Sequence, residues 1–324
     1  MNDTFDPKPA QTADIPPQNA APMPVRRRRK RKGTLSQRIN LMLMTLFAAA
    51  AAFAFLMPTV LTITNSFMSQ SEISANYGVI FSAATDGKTF ISKDVNLKFI
   101  PDIVSASQYI TVLFKSPDYL LKFWNAMILT VPIVVFQIVV ALGASYSFAR
   151  LTGRLKEIVF FIYIIVMLMP YQVTLVPNYL VSDKLGLLNT RLAVILPGVF
   201  SPFAVYLLTK AMRRIPKVYY EAAMLDGAGE FTIFTTISLP MVRSSLFSVV
   251  ILIFIDYWNM VEQPLILLAD ETLHPLSVFL SKINTQETGL AFAVAVIYMM
   301  PSLLLFLYGE DALVEGIASS ATLK

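Results

Sequence analysis

Side chains that commonly carry out chemistry are scarce in this sequence. Its 324 residues include no cysteine and one histidine, His274. This composition argues against disulfides, a thiolate nucleophile, a zinc site and histidine-based catalysis. His274 precedes Pro275 in a predicted loop, where we expect its ring to be solvated. The sequence also lacks the G-x-x-x-x-G-K-[ST] motif, so this chain is not itself a P-loop ATPase.

A second group of chemically capable side chains lies within or beside long apolar blocks. Polar groups in hydrocarbon are expensive and are therefore functional candidates by default. Asp256 has two open interpretations, the lining of a solute pathway or an interhelical pair. For Tyr163 and Tyr171 the alternative is anchoring at the lipid interface or packing in the core. The full candidate set is Gln137, Tyr163, Tyr171, Gln172, Asp256, Trp258, Asn259 and Glu262.

The third feature is a moderately polar stretch, residues 215–243, with the sequence IPKVYYEAAMLDGAGEFTIFTTISLPMVR. Pro216 suits the first turn of a helix, and Gly227 permits the left-handed turn that commonly ends one. We therefore predict two short helices, 217–226 and 230–239, joined at the glycine, with the second stopping at Pro240. The stretch contains the spacing EAA-x3-G-x9-I-x-L-P without a gap.

The elements that must position these residues are apolar helices. Hydrophobic residues make up 56% of the chain, and several apolar blocks exceed the ~18 to 20 residues that cross a bilayer as a helix. The sequence therefore predicts an all-α integral membrane protein. Its transmembrane domain is predicted to cover residues 39–324, with approximate spans at 39–63, 124–148, 157–179, 191–212, 244–268 and 290–312.

Charge placement predicts the topology. Residues 1–38 have the composition of a disordered tail and carry a polybasic run at 26–32. Because this run directly precedes an apolar span, we expect it to stay in the cytoplasm and contact anionic lipid rather than nucleic acid. Short cationic segments recur on the same side, so both termini and the loop 213–243 are predicted to be cytoplasmic. Residues 64–122 are predicted to form an external loop, with an extended segment at 89–100.

The spacing in residues 215–243 resembles the cytoplasmic signature of permease subunits of bacterial ABC importers. The AAMLDGA run at 222–228 resembles the AAxxDGA form of the sugar branch, as do Trp258-Asn259 with Pro264-Leu265 and the LGLLNT turn at 185–190. From about residue 40 onward, the chain is most similar to the second, maltose-type permease subunit of oligosaccharide importers.

This resemblance implies a type I importer permease with six transmembrane helices and a cytoplasmic coupling-helix loop, residues 213–243. It implies that the loop docks on a separate dimer of ATP-binding subunits, which holds ATP-Mg, while this chain binds no cofactor. The other implied partners are a sister permease subunit, an extracytoplasmic solute-binding protein and the lipid of a bacterial cytoplasmic membrane. The residues expected to couple to the ATPase are Glu221, Ala222, Ala223, Asp226, Gly227, Ile237, Leu239 and Pro240.

Carbohydrate, in the form of oligosaccharide, is the solute class that the resemblance implies. Aromatic faces and hydroxyl-pairing polar groups bind sugars, which fits the candidates in the spans. Asp256 and Glu262, however, flank the Trp-Asn pair where the family is more often neutral. An amino acid, polyamine or phosphate therefore stays open as an alternative solute, and Trp258 and Asn259 have packing against the sister permease as an alternative role. A secondary transporter, which would need neither partner nor ATP, is the third hypothesis.

Overall fold

The structure, a computed structural model, describes residues 35–85, 98–282 and 288–321, and within these ranges it is helical. Most of the predicted disordered tail, its polybasic run and most of the predicted extended segment lie outside the described residues. Residues 35–38, predicted as the end of the tail, are instead helical. The α-helices are α1 (Leu35–Asn65), α2 (Gln70–Thr85), α3 (Ser107–Ile110), α4 (Pro117–Arg150), α5 (Arg154–Met167), α6 (Tyr171–Lys184), α7 (Arg191–Gly198), α8 (Pro202–Met212), α9 (Lys217–Leu225), α10 (Glu230–Ile233), α11 (Leu239–Met241), α12 (Arg243–Trp258), α13 (Glu262–Leu267), α14 (Leu276–Ser281) and α15 (Thr288–Ala321).

The chain divides into two compact units, residues 1–54 and 55–324. In the first unit, the described residues form the N-terminal part of α1. Large apolar side chains there, including Met42, Phe47 and Phe53, are exposed. Such a helix suits a hydrocarbon environment, where exposed apolar side chains carry no penalty.

Four helical segments of the described chain are long and apolar enough to cross a membrane: Ile39–Asn65, Pro117–Arg150, Arg191–Met212 and Gly289–Val314. Two bent pairs raise the number to at most six if each pair is one span: Arg154–Met167 with Tyr171–Lys184, and Glu230–Met241 with Arg243–Trp258. The prediction of an all-helical, multi-span chain is therefore confirmed.

Helix α4 is the central element of the second unit. It packs against α7, α8, α12 and α14. Its 34 residues correspond to about 51 Å at the standard helical rise of 1.5 Å per residue. Leu129 and Ile133 contribute to one buried cluster, and Val134 and Ala141 to a second, so α4 joins two parts of the core.

Three of the predicted continuous spans are interrupted. The predicted span 191–212 is divided at residues 199–201, between α7 and α8. The predicted span 157–179 contains the break between α5 and α6, which are bent by 99° relative to each other. Pro170 explains this break, because it has no N–H to donate and disfavours helical geometry at the preceding residue. The predicted span 244–268 is interrupted after Trp258, and the chain resumes helical structure at Glu262.

The predicted loop 64–122 contains more structure than expected. Helix α2 lies in it, and Tyr77 of α2 is buried and accepts a hydrogen bond from Asn65 Nδ2 at 3.0 Å. Met68, Ile73 and Tyr77 form a small buried cluster with Phe292 of α15 packed against it. The sequence did not reveal this helix, because the contacts that stabilise it come from distant residues.

The segment 268–277 closes over the start of α4. Asn125 is buried, and its Nδ2 donates to the carbonyl oxygens of Thr272 at 2.6 Å and His274 at 3.3 Å. Arg191 in turn donates to Asn125 Oδ1 at 2.9 Å. His274 itself is buried, with Nε2 3.0 Å from the Leu268 carbonyl oxygen, so the expectation of a solvated ring was wrong. The loop contains a packed histidine because its own backbone folds back over the ring.

Trp258 lies at the junction of α4, α12 and α15. Its side chain is 1% exposed. The ring stacks on Phe254 and Tyr298 and meets Phe123 edge-on, with centroid separations of 5.4, 5.3 and 5.7 Å. Its Nε1 donates to the Tyr298 carbonyl oxygen at 3.0 Å. Trp258 therefore packs helices α4, α12 and α15 of this chain against one another.

Replacing Trp258 with alanine should lower the thermal midpoint of the detergent-solubilised chain strongly, since truncating a buried aromatic side chain typically costs about 3–5 kcal/mol. Trp258→Phe should recover most of the loss. The other tryptophan, Trp124, is 55% exposed and provides the matched control, so Trp124→Ala should change the midpoint little. Equal effects of the two alanine variants would contradict the packing role.

Candidate functional site

The stretch 215–243 folds as two short helical segments joined at a glycine, as predicted. Helix α9 begins directly after Pro216 and ends at Leu225, with Asp226 as its C-cap. Gly227 follows with φ +79°, in the left-handed region that a side chain disfavours. The Ala228 N–H closes the turn on the Ala223 carbonyl oxygen at 2.9 Å.

The second segment differs from the prediction at Pro240. Helix α10 passes into a π-helical turn at Phe234–Ser238, and helical structure continues through Pro240 to Met241. Proline lacks the N–H that would bond four residues back, and its ring crowds that carbonyl. The wider π turn immediately before it accommodates the residue, so Pro240 reshapes this helix rather than ending it.

The outer face of α9 is apolar and exposed. Val218, Ala222 and Leu225, at positions i, i+4 and i+7, are all exposed, and Leu225 reaches 89%. Glu221 is exposed beside them and has no ion-pair partner within the described ranges. An exposed apolar stripe of this kind is typical of a surface that a partner covers.

The inner face of the same stretch is buried. Tyr220 and Ile233 form a cluster with Met212, Ile215 and Val242. Ala223 and Ile237 pack against this cluster, whereas Asp226 and Pro240 are exposed and Leu239 is half-buried. Some of the eight predicted coupling residues therefore lie in the packed inner face of the loop, and the others lie on its exposed surface.

A separate open cavity of about 530 Å³ lies where the helices are interrupted. It brings together Tyr171, from the start of α6, with Asp256, Asn259 and Glu262, from α12 and the start of α13. Gln172 joins this group through its Nε2, which lies 3.3 Å from Glu262 Oε2. Five of the eight predicted pathway residues are thus close together in space.

Sequence reasoning missed two polar residues of this cavity, Tyr257 and Gln263. Their positions on either side of the Trp258-Asn259 pair were the available signal. No lysine, arginine or histidine is among the described residues that line the cavity. Asp256 has no ion-pair partner in the parts of the chain that the structure covers, so its position favours the lining of the cavity over an interhelical pair.

The remaining three candidates lie elsewhere. Trp258 points into the helix junction described above. Tyr163 packs edge-on against Phe148 and Phe200, with centroids 5.3 and 5.5 Å away. Gln137 is buried on α4, and its Oε1 has no hydrogen-bond partner among the residues that the structure describes. None of the three lines the cavity.

Across residues 35–85, 98–282 and 288–321, there is no group of three or more His, Cys, Asp or Glu side chains that could hold a metal ion. The candidate functional features of the described residues are therefore the exposed face of α9 and the polar cavity.

Comparison with known proteins gives consistent matches. The chain is 25% identical over 265 residues to the arabinooligosaccharides transport system permease protein AraQ of Halalkalibacterium halodurans, covering 81% of this chain and 95% of the relative. It is 30% identical over 206 residues to the melibiose/raffinose/stachyose import permease protein MelC of Bacillus subtilis, covering 62% and 75%.

A solved structure has the same fold. A chain of a bacterial ABC transporter involved in the import of the acidic polysaccharide alginate superposes with a TM-score of 0.69 at 20% identity, covering 86% of this chain and 98% of that chain. The model of the family described as "binding-protein-dependent transport system inner membrane component" matches residues 137–314, more than half of the chain. The chain belongs to this family of inner membrane components of binding-protein-dependent transport systems.

Proposed function

We propose that this chain is the transmembrane permease subunit of an ATP-driven, binding-protein-dependent importer of oligosaccharides. The observation that carries the proposal is the exposed apolar face of α9, fixed beside the left-handed turn at Gly227, in a chain whose sequence lacks the P-loop motif. Relatives named for arabinooligosaccharides, lactose and melibiose/raffinose/stachyose support a carbohydrate as the solute.

In this proposal, the loop 213–243 docks into a groove on a dimer of ATP-binding subunits, which holds ATP-Mg and hydrolyses it. A short helix with an apolar face suits such a groove. Val218 and Leu225 supply the contact area, Ala222 permits close approach, and Glu221 pairs with a cation of the partner. This chain contributes no catalytic residue.

The proposed assembly lies in a bacterial cytoplasmic membrane with both termini in the cytoplasm. A sister permease subunit completes the pathway, and an extracytoplasmic solute-binding protein delivers the solute. A chain of the alginate importer in complex with a substrate-bound periplasmic protein has this fold, with a TM-score of 0.56 and 15% identity, and supports that last partner.

The transport cycle follows from these contacts. Closure of the ATP-bound dimer moves the docked loop, and the bundle changes from inward-facing to outward-facing. Because coupling between two binding events is reciprocal, delivery of solute favours the closed, ATP-bound state.

The cavity beside the helix breaks is the proposed part of the pathway. Tyr171 offers an aromatic face, while Asn259, Gln263 and Gln172 offer groups that pair with sugar hydroxyls. Asp256 and Glu262 accept hydrogen bonds from hydroxyls. Because no described basic residue lines the cavity, a cationic solute is the second candidate, and an anionic one is disfavoured by repulsion.

Uptake measurements in cells that lack this chain test the proposal. We expect loss of uptake of one class of labelled oligosaccharide, restored by the intact gene, with uptake of polyamines and amino acids unchanged. Loss of polyamine uptake alone would favour the cationic solute. Solute uptake by the purified chain alone, driven by an ion gradient without ATP, would overturn the importer assignment.

The turn at Gly227 provides a matched pair of glycines. Gly229 has φ −72°, which any residue adopts, and a Cβ there meets no atom within 4 Å. Gly227→Val should therefore reduce ATP-dependent uptake sharply, because a β-branched residue is a backbone outlier at positive φ, while Gly229→Val should not. Uptake into proteoliposomes containing the full complex measures the difference, and equal uptake by both variants would contradict the required turn.

Tyr171, in the cavity, and Tyr163, outside it, form a matched pair for a second substitution test. Tyr171→Phe should raise the KM for uptake several-fold, because the side chain lies in the cavity and one good hydrogen bond contributes roughly 0.5–1.5 kcal/mol. Tyr163→Phe should leave KM unchanged, since its ring packs away from the cavity. Initial uptake rates over a range of solute concentrations distinguish the two. A larger effect at Tyr163 would place the pathway elsewhere.

A further inference from the structure

Arg150 contacts both halves of the loop 215–243. It is the last residue of α4, and its Nη2 donates to Glu230 Oε1 at 2.9 Å. Its guanidinium carbon lies 4.5 Å from the centroid of the Tyr220 ring, in a cation–π arrangement. Glu230 opens α10 and Tyr220 belongs to α9. One side chain of the central helix therefore touches the helices on both sides of Gly227.

Neighbouring side chains fix this arrangement. Tyr146, one turn earlier on α4, donates its hydroxyl to Glu230 and packs edge-on against Phe234 at a centroid separation of 5.1 Å. Tyr220 is buried, and its hydroxyl accepts a hydrogen bond from Ser238 Oγ at 3.3 Å. The group formed by Tyr146, Arg150, Tyr220 and Glu230, here called the loop clamp, thus connects α4, α9 and α10.

The loop clamp is suited to transmitting motion rather than to stabilising the fold. Glu230 is largely exposed, and ion pairs with an exposed partner contribute little to stability. The geometry of the contact is the more informative property, because the planar guanidinium of Arg150 stacks on an aromatic ring and donates to a carboxylate at the same time. Together with the apolar cluster around Tyr220, this connection holds the helices on both sides of the glycine turn against α4.

We propose that Arg150 is a positioning residue that makes the two short helices move with α4, so that force on the loop reaches the transmembrane bundle. This inference rests on the proposed docking of the loop on an ATP-binding subunit. It assigns the step after docking: the loop clamp determines how much transport each ATP yields, while the exposed face of α9 determines whether the ATPase binds.

The test compares variants of the full importer complex in proteoliposomes, with the ratio of solute transported to ATP hydrolysed as the readout. Arg150→Gln should lower this ratio by about fivefold or more, the lower end of typical coupling between sites. Its co-purification with the ATPase subunit and its thermal midpoint should stay at wild-type values. Arg150→Lys keeps the charge but loses the planar stacking, and should give an intermediate ratio.

The control is a second arginine–glutamate pair with similar chemistry. Arg213 Nη2 lies 3.4 Å from Glu157 Oε1 and its guanidinium carbon lies 4.6 Å from the Phe160 ring centroid, but Glu157 belongs to α5 and the two cations it pairs with, Lys156 and Arg213, both precede α9. Glu157→Gln should leave the ratio unchanged, while Glu230→Gln should lower it. Reversing the pair, with Arg150→Glu and Glu230→Arg together, should recover more transport per ATP than either reversal alone.

A wild-type ratio in both Arg150→Gln and Glu230→Gln would overturn the inference and leave the proposed function intact. Loss of ATPase co-purification in these variants would also overturn it, because the loop clamp would then serve docking. If the wild-type chain neither bound an ATPase nor transported solute with ATP, the proposed function itself would fail.

Discussion

The structure depends on one constraint, the need of every backbone N–H and carbonyl group in hydrocarbon for a hydrogen-bond partner within the protein. Long helices satisfy it, and interruptions are tolerated where they border water or buried protein. Two of the three interruptions in the predicted spans, at 168–170 and 259–261, adjoin the same cavity, which Tyr171 and Asn259 line. The breaks that looked like irregularities in apolar spans therefore place polar side chains around one space.

Helix α4 connects this cavity with the segment 268–277 and with the loop 215–243. Near its start, Asn125 holds the segment 268–277, and at its last residue Arg150 holds the loop. Between them, Thr130 Oγ1 donates to the carbonyl oxygen of Tyr257, a residue of the cavity, at 3.3 Å. A displacement of the loop would thus reach the cavity through a single packed helix. This path is a spatial connection, and the ratio of solute transported to ATP hydrolysed measures whether it also couples the two sites energetically.

Sequence reasoning succeeded where the cause was local. The left-handed turn at Gly227 and the short helix that begins after Pro216 follow from residue type. It failed where distant residues decide the environment. The partner of Trp258, Tyr298, lies 40 residues further along the chain, and an aromatic residue in a span has the same pattern whether it packs or lines a pathway. His274 was misassigned for a different reason, because its burial comes from the way its own loop folds over the ring, which its position before Pro275 does not reveal.

The proposed contact between the outer face of α9 and an ATP-binding subunit can be tested by crosslinking. Because this chain contains no cysteine, a single one can be introduced at Leu225 and crosslinked in the assembled importer without competition from another cysteine of the same chain. We expect an adduct between Leu225→Cys and the ATPase chain, and none from Leu185→Cys, an exposed site in the turn after α6. Absence of the adduct at position 225 in a transport-competent complex, or equal adducts from both positions, would contradict it.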